Sequence, residues 1–451
     1  MQETLERPPT PKGPSAGADD PWRLVPPAPT TVAETGLSEA FLRELVLKVL
    51  WVHDSPSASE VATATGLHPK VIDELIAAIR KEELCEVDSS ASAAIQFHYR
   101  LTERGKKAAH EALDRCRYVG PAPVPLKAYS EKVLEQAAAF VRPPLEQIKE
   151  AVEHLVLPDE LIQIIGQAFF SRRALMIYGP SGNGKSDIVT SVGRCVAGTI
   201  LIPYSLYGYG QLIKVFDPNV HQAAGSPDGG DDLFTLSSRY DRRWLPCERP
   251  VVIVGGNMDE RALEMAYDST QGVYLAALSI VAQGGVLIID DLGRQRVSPK
   301  TILNRWVLMM EQGFDSFSLN SNEVVRLPLD VTLVFSTNLV LHELVDEAYL
   351  RRIAYKVAIR NPDRTQLREI TRHVCEKHNL PGTEEALDYL MDRLYGDDMP
   401  APRGCFPRDI VTTILDEAEF LGVPPTFDSA SIDKACKLYL GDGESWAEVA
   451  A

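Results

Sequence analysis

The chain has 451 residues, of which 45% are hydrophobic, 7% aromatic and 24% charged, enough apolar side chain for about three domains of roughly 150 residues. Those proportions exclude a chain that is disordered or fibrous throughout. The balance of 46 Lys and Arg against 63 Asp and Glu, a net charge of −17, speaks against a protein that coats polyanions generally but leaves room for a local basic patch.

At the start of the chain, Met1–Asp20 carries Glu3, Glu6, Asp19 and Asp20 and no apolar segment, so no secretory signal is expected. Eight of the first thirty residues are proline, and residues 1–36 read as a disordered arm. From Leu37 to Tyr118 the pattern becomes helix, helix, helix, hairpin, helix. Phe41, Leu45, Val46, Val49 and Leu50 share one helical face. Ser57 caps a short helix, Gly66 turns the chain, and Pro69 opens a helix with Val71, Ile72, Leu75, Ile76 and Ile79 on one side. Leu84–Val87 and Ile95–Leu101 flank a polar stretch, 88–94, that reads as a wing, and the phrase Leu101-Thr-Glu-Arg-Gly105 leads into a last helix. Residues 37–118 thus resemble a winged helix-turn-helix module. Two roles stay open for it, DNA binding and protein docking. With 11 basic and 13 acidic residues between Gly36 and Tyr118, the charge favours docking, because a DNA reader presents a basic face.

Residues 119–156 form a linker with helices: Gly120-Pro-Ala-Pro-Val-Pro125 is stiff, and Pro143-Pro144 interrupts the helical pattern. Pro158 then introduces a helix towards Phe170.

Chemistry enters at Gly179-Pro-Ser-Gly-Asn-Gly-Lys-Ser186, which fits G-x-x-x-x-G-K-[ST] between a buried-strand run, Ala174–Tyr178, and a helix from Lys185. The residues Gly179, Pro180, Ser181, Gly182, Asn183, Gly184, Lys185 and Ser186 would wrap a phosphate with backbone N–H groups at a helix N-terminus. Lys185 would reach the β- and γ-phosphates of ATP, and Ser186 would ligate Mg²⁺. Gly284–Gly293 supplies a buried parallel strand ending in Asp290 and Asp291. Asp290 would hold Mg²⁺, and Asp291 would polarise the attacking water. A third apolar strand, Asp330–Thr337, ends at Asn338, placed to orient that water. A short helix over 346–353 ends in Arg351 and Arg352, the alternating strand Ala354–Ile359 follows, and Phe406-Pro-Arg-Asp-Ile410 opens a helix in a mostly helical last hundred residues.

These elements together resemble the AAA+ ATPase superfamily over residues 157–451. The resemblance implies an α/β fold: a P-loop parallel-sheet core at 157–360 and a C-terminal helical lid at 361–451, behind the N-terminal winged-helix domain. It implies Walker A at Gly179–Ser186, Walker B at Asp290–Asp291 and sensor 1 at Asn338. Arg352 would be the arginine finger with Arg351 as its competitor, and Arg408 would be sensor 2. It also implies ATP and Mg²⁺ as ligands and a homo-oligomeric, hexameric ring. Asp291 stands where most of the superfamily has Glu, an acid shorter by one methylene, which would slow hydrolysis; the pair Asp-Asp also resembles the helicase-loader and transposition branch. Ala282-Gln-Gly-Gly-Val-Leu-Ile-Ile-Asp290 is similar to the MoxR, magnesium-chelatase and enhancer-binding branch. Roughly 85 residues separate the second strand, read at Thr199–Tyr204, from Asp290. That excess reads as an insertion over 205–280, in which Tyr207-Gly-Tyr-Gly210 is either a glycine turn or an aromatic pore loop.

The function expected is an ATP-hydrolysing ring that remodels or regulates a protein client. The alternatives are a DNA-directed ATPase acting through the winged helix and a slow nucleotide switch. No apolar run, Val273–Leu278 among the longest, nears the ~18–20 residues that span a bilayer, so no membrane insertion is expected. Seven scattered cysteines without a CxxC pair fit reduced thiols of a cytoplasmic protein. His373, Cys375 and His378 lie on different faces of a helix and suggest no metal site.

Overall fold

The computed structural model describes residues 21–88, 97–225, 239–344, 346–396 and 401–440. An N-terminal module contains α1 (Glu39–Val52), α2 (Ala58–Thr65), α3 (Pro69–Lys81), the antiparallel ribbon of β1 (Cys85–Val87) and β2 (Tyr99–Leu101), and α4 (Glu103–Arg115). Its boundaries have local causes. Ser57 and Glu60 form a capping box at α2, Gly66 ends that helix in the left-handed conformation, and Pro69 occupies the first turn of α3. Most of the expected wing, 89–94, lies outside the described residues.

Residues 1–20 also lie outside the described set, but 21–36 depart from the expected disordered arm. Trp22 is 6% exposed and packs 6.0 Å from the Tyr240 ring, Pro27 bridges Tyr240, and Arg243 donates to the Thr35 carbonyl at 2.8 Å. One tryptophan and the apolar Val25 and Ala28 gain enough burial to order a proline-rich segment that has no periodicity of its own.

The chain continues through β3 (Val124–Pro125), α5 (Leu126–Ala138), α6 (Leu145–Ala151), α7 (Asp159–Ser171), β4 (Leu175–Tyr178) and α8 (Lys185–Gly193). Next come β5 (Thr199–Pro203), β6 (Ser205–Gly208), β7 (Gln211–Lys214), β8 (Trp244–Glu248), β9 (Val251–Val254), β10 (Ala266–Asp268), β11 (Val273–Leu275) and β12 (Val286–Ile289). After the helix Pro299–Gln312, β13 (Phe314–Ser318) and β14 (Val324–Pro328) make a hairpin, followed by β15 (Thr332–Thr337) and β16 (Tyr355–Ala358).

The central sheet is five-stranded and all parallel, in the order β16-β4-β15-β12-β9. β12 and β15 are buried along their whole length, as strands covered on both faces must be. Val286 and Ile288 face one core with Phe169 and Val192, while Leu287 and Ile289 face another with Trp306 and Phe335. The result is an α/β layer structure whose loops after β4, β12 and β15 meet at one edge.

The sheet corrects one strand assignment. Thr199–Pro203 is not its second strand; it pairs antiparallel with β8, and the outer place beside β12 belongs to Val251–Val254. Both runs are short and apolar, so periodicity does not separate them. Position does: Val251 packs where a Cβ on Gly193 of α8 would lie 3.5 Å from it.

A second five-stranded sheet, β10-β11-β7-β6-β3, is mixed and draws its strands from three chain segments. It carries the N-terminal module: Phe41 stacks on Tyr207 with centroids 4.5 Å apart, Ser205 donates to the Tyr118 hydroxyl at 3.2 Å, and the Arg117 amide donates to Gln271 at 2.8 Å. Of Tyr207–Gly210, the first two residues end β6 and Tyr209–Gly210 make the turn into β7, with Tyr209 exposed at its tip. Four helices, Arg364–Lys377, Glu384–Leu394, Phe406–Leu421 and Ser429–Leu440, close around their own core of Leu367, Leu390, Ile410 and Ile432. Among the described residues no helix is long and apolar enough to cross a membrane.

Candidate nucleotide site

The loop between β4 and α8 holds the glycine-rich pattern. Gly179 has φ +139°, and a Cβ there would lie 2.0 Å from the Ile359 carbonyl, so only glycine passes between the β4 and β16 strand ends. Gly184, with φ +74°, is the N-cap of α8, which aims the first amides of that helix at the loop's concavity.

Lys185 is 6% exposed. Its Nζ donates to the carbonyls of Gly179 and Pro180, at 2.9 and 2.8 Å, and to Asn338 Oδ1 at 2.5 Å. Asn338 Nδ2 in turn donates to Asp291 Oδ1 at 2.5 Å. One hydrogen-bond chain therefore joins the loop lysine, the polar tip after β15 and the acid after β12. Burial pushes the Lys185 ammonium below its ordinary range, against the pull of Asp291 and Asp290.

Asp291 has φ +52°, a left-handed conformation that is costly for a non-glycine residue. Its surroundings hold it there: the Asp291 amide donates to Asp290 Oδ1 at 3.1 Å, the Leu292 amide to Ser336 at 2.7 Å, and the Thr337 hydroxyl to Leu292 at 2.7 Å. Gln295 folds back over the same turn, donating to the Asp290 carbonyl at 2.7 Å while accepting from the Gly293 amide at 2.9 Å. The strain turns the second carboxylate towards Asn338, and the first stays half-buried at the strand end.

The C-terminal helices reach the loop through residues 403–405. Arg403 Nη1 donates to Ser181 Oγ at 3.0 Å, the Gly404 amide to Asn183 Oδ1 at 2.8 Å, and the Cys405 amide to the Gly182 carbonyl at 2.8 Å. A Cβ on Gly182 would lie 2.7 Å from Cys405 Sγ. Asn183 also donates to Asn361 at 2.8 Å.

The structure brings Gly179–Ser186, Asp290, Asp291 and Asn338 to one edge of the sheet. It does not bring Arg408 there: that side chain is 67% exposed and pairs with its neighbour Asp409 at 2.9 Å. Arg351 and Arg352 follow the short helix Glu347–Leu350. Arg352 Nε pairs with Glu311 at 2.6 Å and its Nη1 donates to Ala348 at 2.9 Å. Arg351 is exposed and makes no ion pair with any described residue. Sequence reasoning missed Arg403 and Gln295. Neither sits in a spacing rule, although Arg403 stands five residues before Arg408, beside a glycine.

A family model described as a domain of unknown function (DUF8689) matches residues 363–438. No curated protein matches the sequence. Among solved structures, the Holliday junction branch migration motor RuvB of Thermotoga maritima is similar at 12% identity and a TM-score of 0.36, over 66% of this chain and 70% of that one. NtrX from Brucella abortus in complex with ADP is similar at 13% identity and a TM-score of 0.37, over 72% of this chain and 58% of that one.

Proposed function

We propose that this chain is a Mg²⁺-dependent AAA+ ATPase that assembles into a hexameric ring and remodels or regulates a protein partner. The observation that carries the reading is the hydrogen-bond chain Lys185–Asn338–Asp291 beside a glycine-walled helix N-terminus. A phosphate group fits this cradle: it offers α8 amides, a buried ammonium and, on the facing strand end, two carboxylates. Ser186 and Asp290 would hold Mg²⁺, which when bound neutralises phosphate charge.

In the proposed reaction Asp291 accepts the proton of a water that Asn338 orients. The water oxygen forms a bond to the γ-phosphorus as the bond to the β–γ bridging oxygen breaks, giving ADP and phosphate. Lys185 stabilises the charge gathering on the phosphate oxygens. Arg351 is better placed than Arg352 to enter a neighbouring subunit's site, because Glu311 already neutralises Arg352 within its own chain. The acidic balance of the N-terminal module supports a protein client.

Steady-state turnover and nucleotide titration test this directly. Lys185→Ala should abolish tight ATP binding, and Asp291→Asn should keep binding but lower turnover about 10²–10⁴-fold. A wild-type protein that neither binds nor hydrolyses ATP-Mg²⁺ ends the proposal, and equal turnover in Asp291→Asn removes Asp291 from it.

A further inference from the structure

In the N-terminal module the outer face of α3 is uncovered. Along α3, Asp73, Glu74, Ala77, Arg80 and Lys81 are exposed, while Val71, Ile72, Leu75, Ile76 and Ile79 are buried in the module's core. At about 100° per residue the exposed five fall within roughly 60° of Ala77 on either side, so they form a single stripe. Its order is acid, acid, alanine, base, base.

The four charged side chains make no ion pair with any described residue. Their neighbours do: Glu82 pairs with Arg43, and Glu86 pairs with Arg100 at 2.8 Å. The stripe is therefore a set of opposite charges, separated along the helix, with the smallest side chain at its centre.

We propose that α3 is a two-fold self-docking surface, on which a second copy of the chain lies antiparallel with Ala77 against the partner's Ala77. Two-fold symmetry makes such a contact self-complementary. Asp73 and Arg80 lie on one side of the stripe's midline, and Glu74 and Lys81 lie on the other. Turning the helix end for end sets Asp73 opposite the partner's Arg80 and Glu74 opposite the partner's Lys81. Each of these contacts is made twice. Ala77 lets the two backbones approach. A parallel arrangement would set like charges together, so the pattern selects the antiparallel one.

The same pattern argues against DNA as the occupant. Two carboxylates near the start of α3 would meet the phosphates that the arginine and lysine attract. Exposed ion pairs are individually weak and are screened by salt. The contact is therefore a salt-dependent association, strengthened if a ring presents several copies at once.

Light scattering of the full-length chain without nucleotide tests the proposal at about 50 mM and about 500 mM NaCl. The mass should double at the lower salt. Asp73→Lys with Glu74→Lys makes the stripe all basic, and Arg80→Glu with Lys81→Glu makes it all acidic. Each variant alone should keep the lower mass. Mixing the two should restore the doubled mass, because opposite stripes then face each other, and combining all four changes in one chain should restore self-association. Ala77→Arg, which sets two cations on the two-fold axis, should abolish doubling and covers the case in which a charge variant melts early. A wild-type mass that does not change with salt overturns the proposal, as does doubling in either charge variant alone. Duplex DNA binding by the wild type without self-association assigns the face to nucleic acid instead.

Discussion

The molecule contains two five-stranded sheets built on opposite plans. The central sheet is wholly parallel, is covered on both faces, and gathers Lys185, Asp290, Asp291 and Asn338 at one edge. The second sheet is mixed, takes strands from residues 124–125, 205–214 and 266–275, and holds Phe41 and Tyr118 of the N-terminal module. One sheet gathers charged side chains at a single edge; the other joins parts of the chain far apart in sequence. Changes at the first should therefore alter turnover with little effect on docking of the module, and changes at the second should do the reverse.

The largest expected effect lies at the β16 edge of the central sheet. Arg351→Ala should lower turnover by about 10³–10⁵-fold if its guanidinium meets the transferring phosphate of a neighbouring subunit. Arg352→Ala should cost far less and act through the lost Glu311 contact. Mixing Arg351→Ala with Lys185→Ala should recover part of the activity, because some interfaces then pair an intact loop with an intact arginine. If Arg352→Ala gives the larger loss, the two roles exchange. If the mixture stays inactive although mixed assemblies form, neither arginine acts between subunits.

The same contrast explains what could be read from the sequence. Gly179–Ser186 obeys a spacing rule, Asp290 and Asn338 end apolar strands that follow it in order, and parallel topology brings those ends together. The second sheet follows no such rule. Thr199–Pro203 and Val251–Val254 look alike as sequence, and only packing against α8 decides which joins the central sheet. Trp22 was hidden among prolines, since composition does not reveal that a single ring will be buried beside Tyr240. Arg403 and Gln295 contribute through tertiary contacts alone.

Arg403 marks where the C-terminal helices touch the central sheet's loop. The contact is exposed and lies within the chain, so Arg403→Ala should weaken nucleotide affinity by no more than about tenfold in a fluorescent-nucleotide titration. Arg408→Ala should change it less, because that side chain is exposed and its guanidinium pairs with Asp409. The reverse order would return Arg408 to the phosphate and make the Arg403 contact incidental.

At the second sheet, Tyr207→Ala removes the ring against Phe41, a contact worth about 0.5–1.5 kcal/mol beyond its buried area. Hydrogen exchange in α1 should speed up while ATP turnover stays within about twofold. A turnover loss as large as that of Asp291→Asn would show that the two sheets are not separable.

The smallest effect is a pH dependence confined to the region around the second sheet. His221 is 3% exposed; its Nδ1 accepts from the Asp217 amide at 2.9 Å, and its Nε2 lies 2.8 Å from the Val281 carbonyl. An Nδ1 that accepts leaves Nε2 as the donor, so the ring is neutral in this arrangement. Burial lowers its pKa below the ordinary imidazole value of 6.5, against the opposing effects of Val281 and Asp217. The unfolded chain then binds the proton more readily than the folded one, so stability is fully present above pH 6.5 and falls as pH drops towards the folded-state value. The loss amounts to about 1.4 kcal/mol for each unit of lowering. Thermal melts at neutral pH and near pH 5.5 should differ more for the wild type than for His221→Gln, which cannot titrate in this range. Exchange should quicken first around residues 217–221 and 278–281, ahead of β4 and β12. An equal acid shift in His221→Gln would place the responsible group elsewhere, and simultaneous opening of β12 would mean that the two sheets unfold as one.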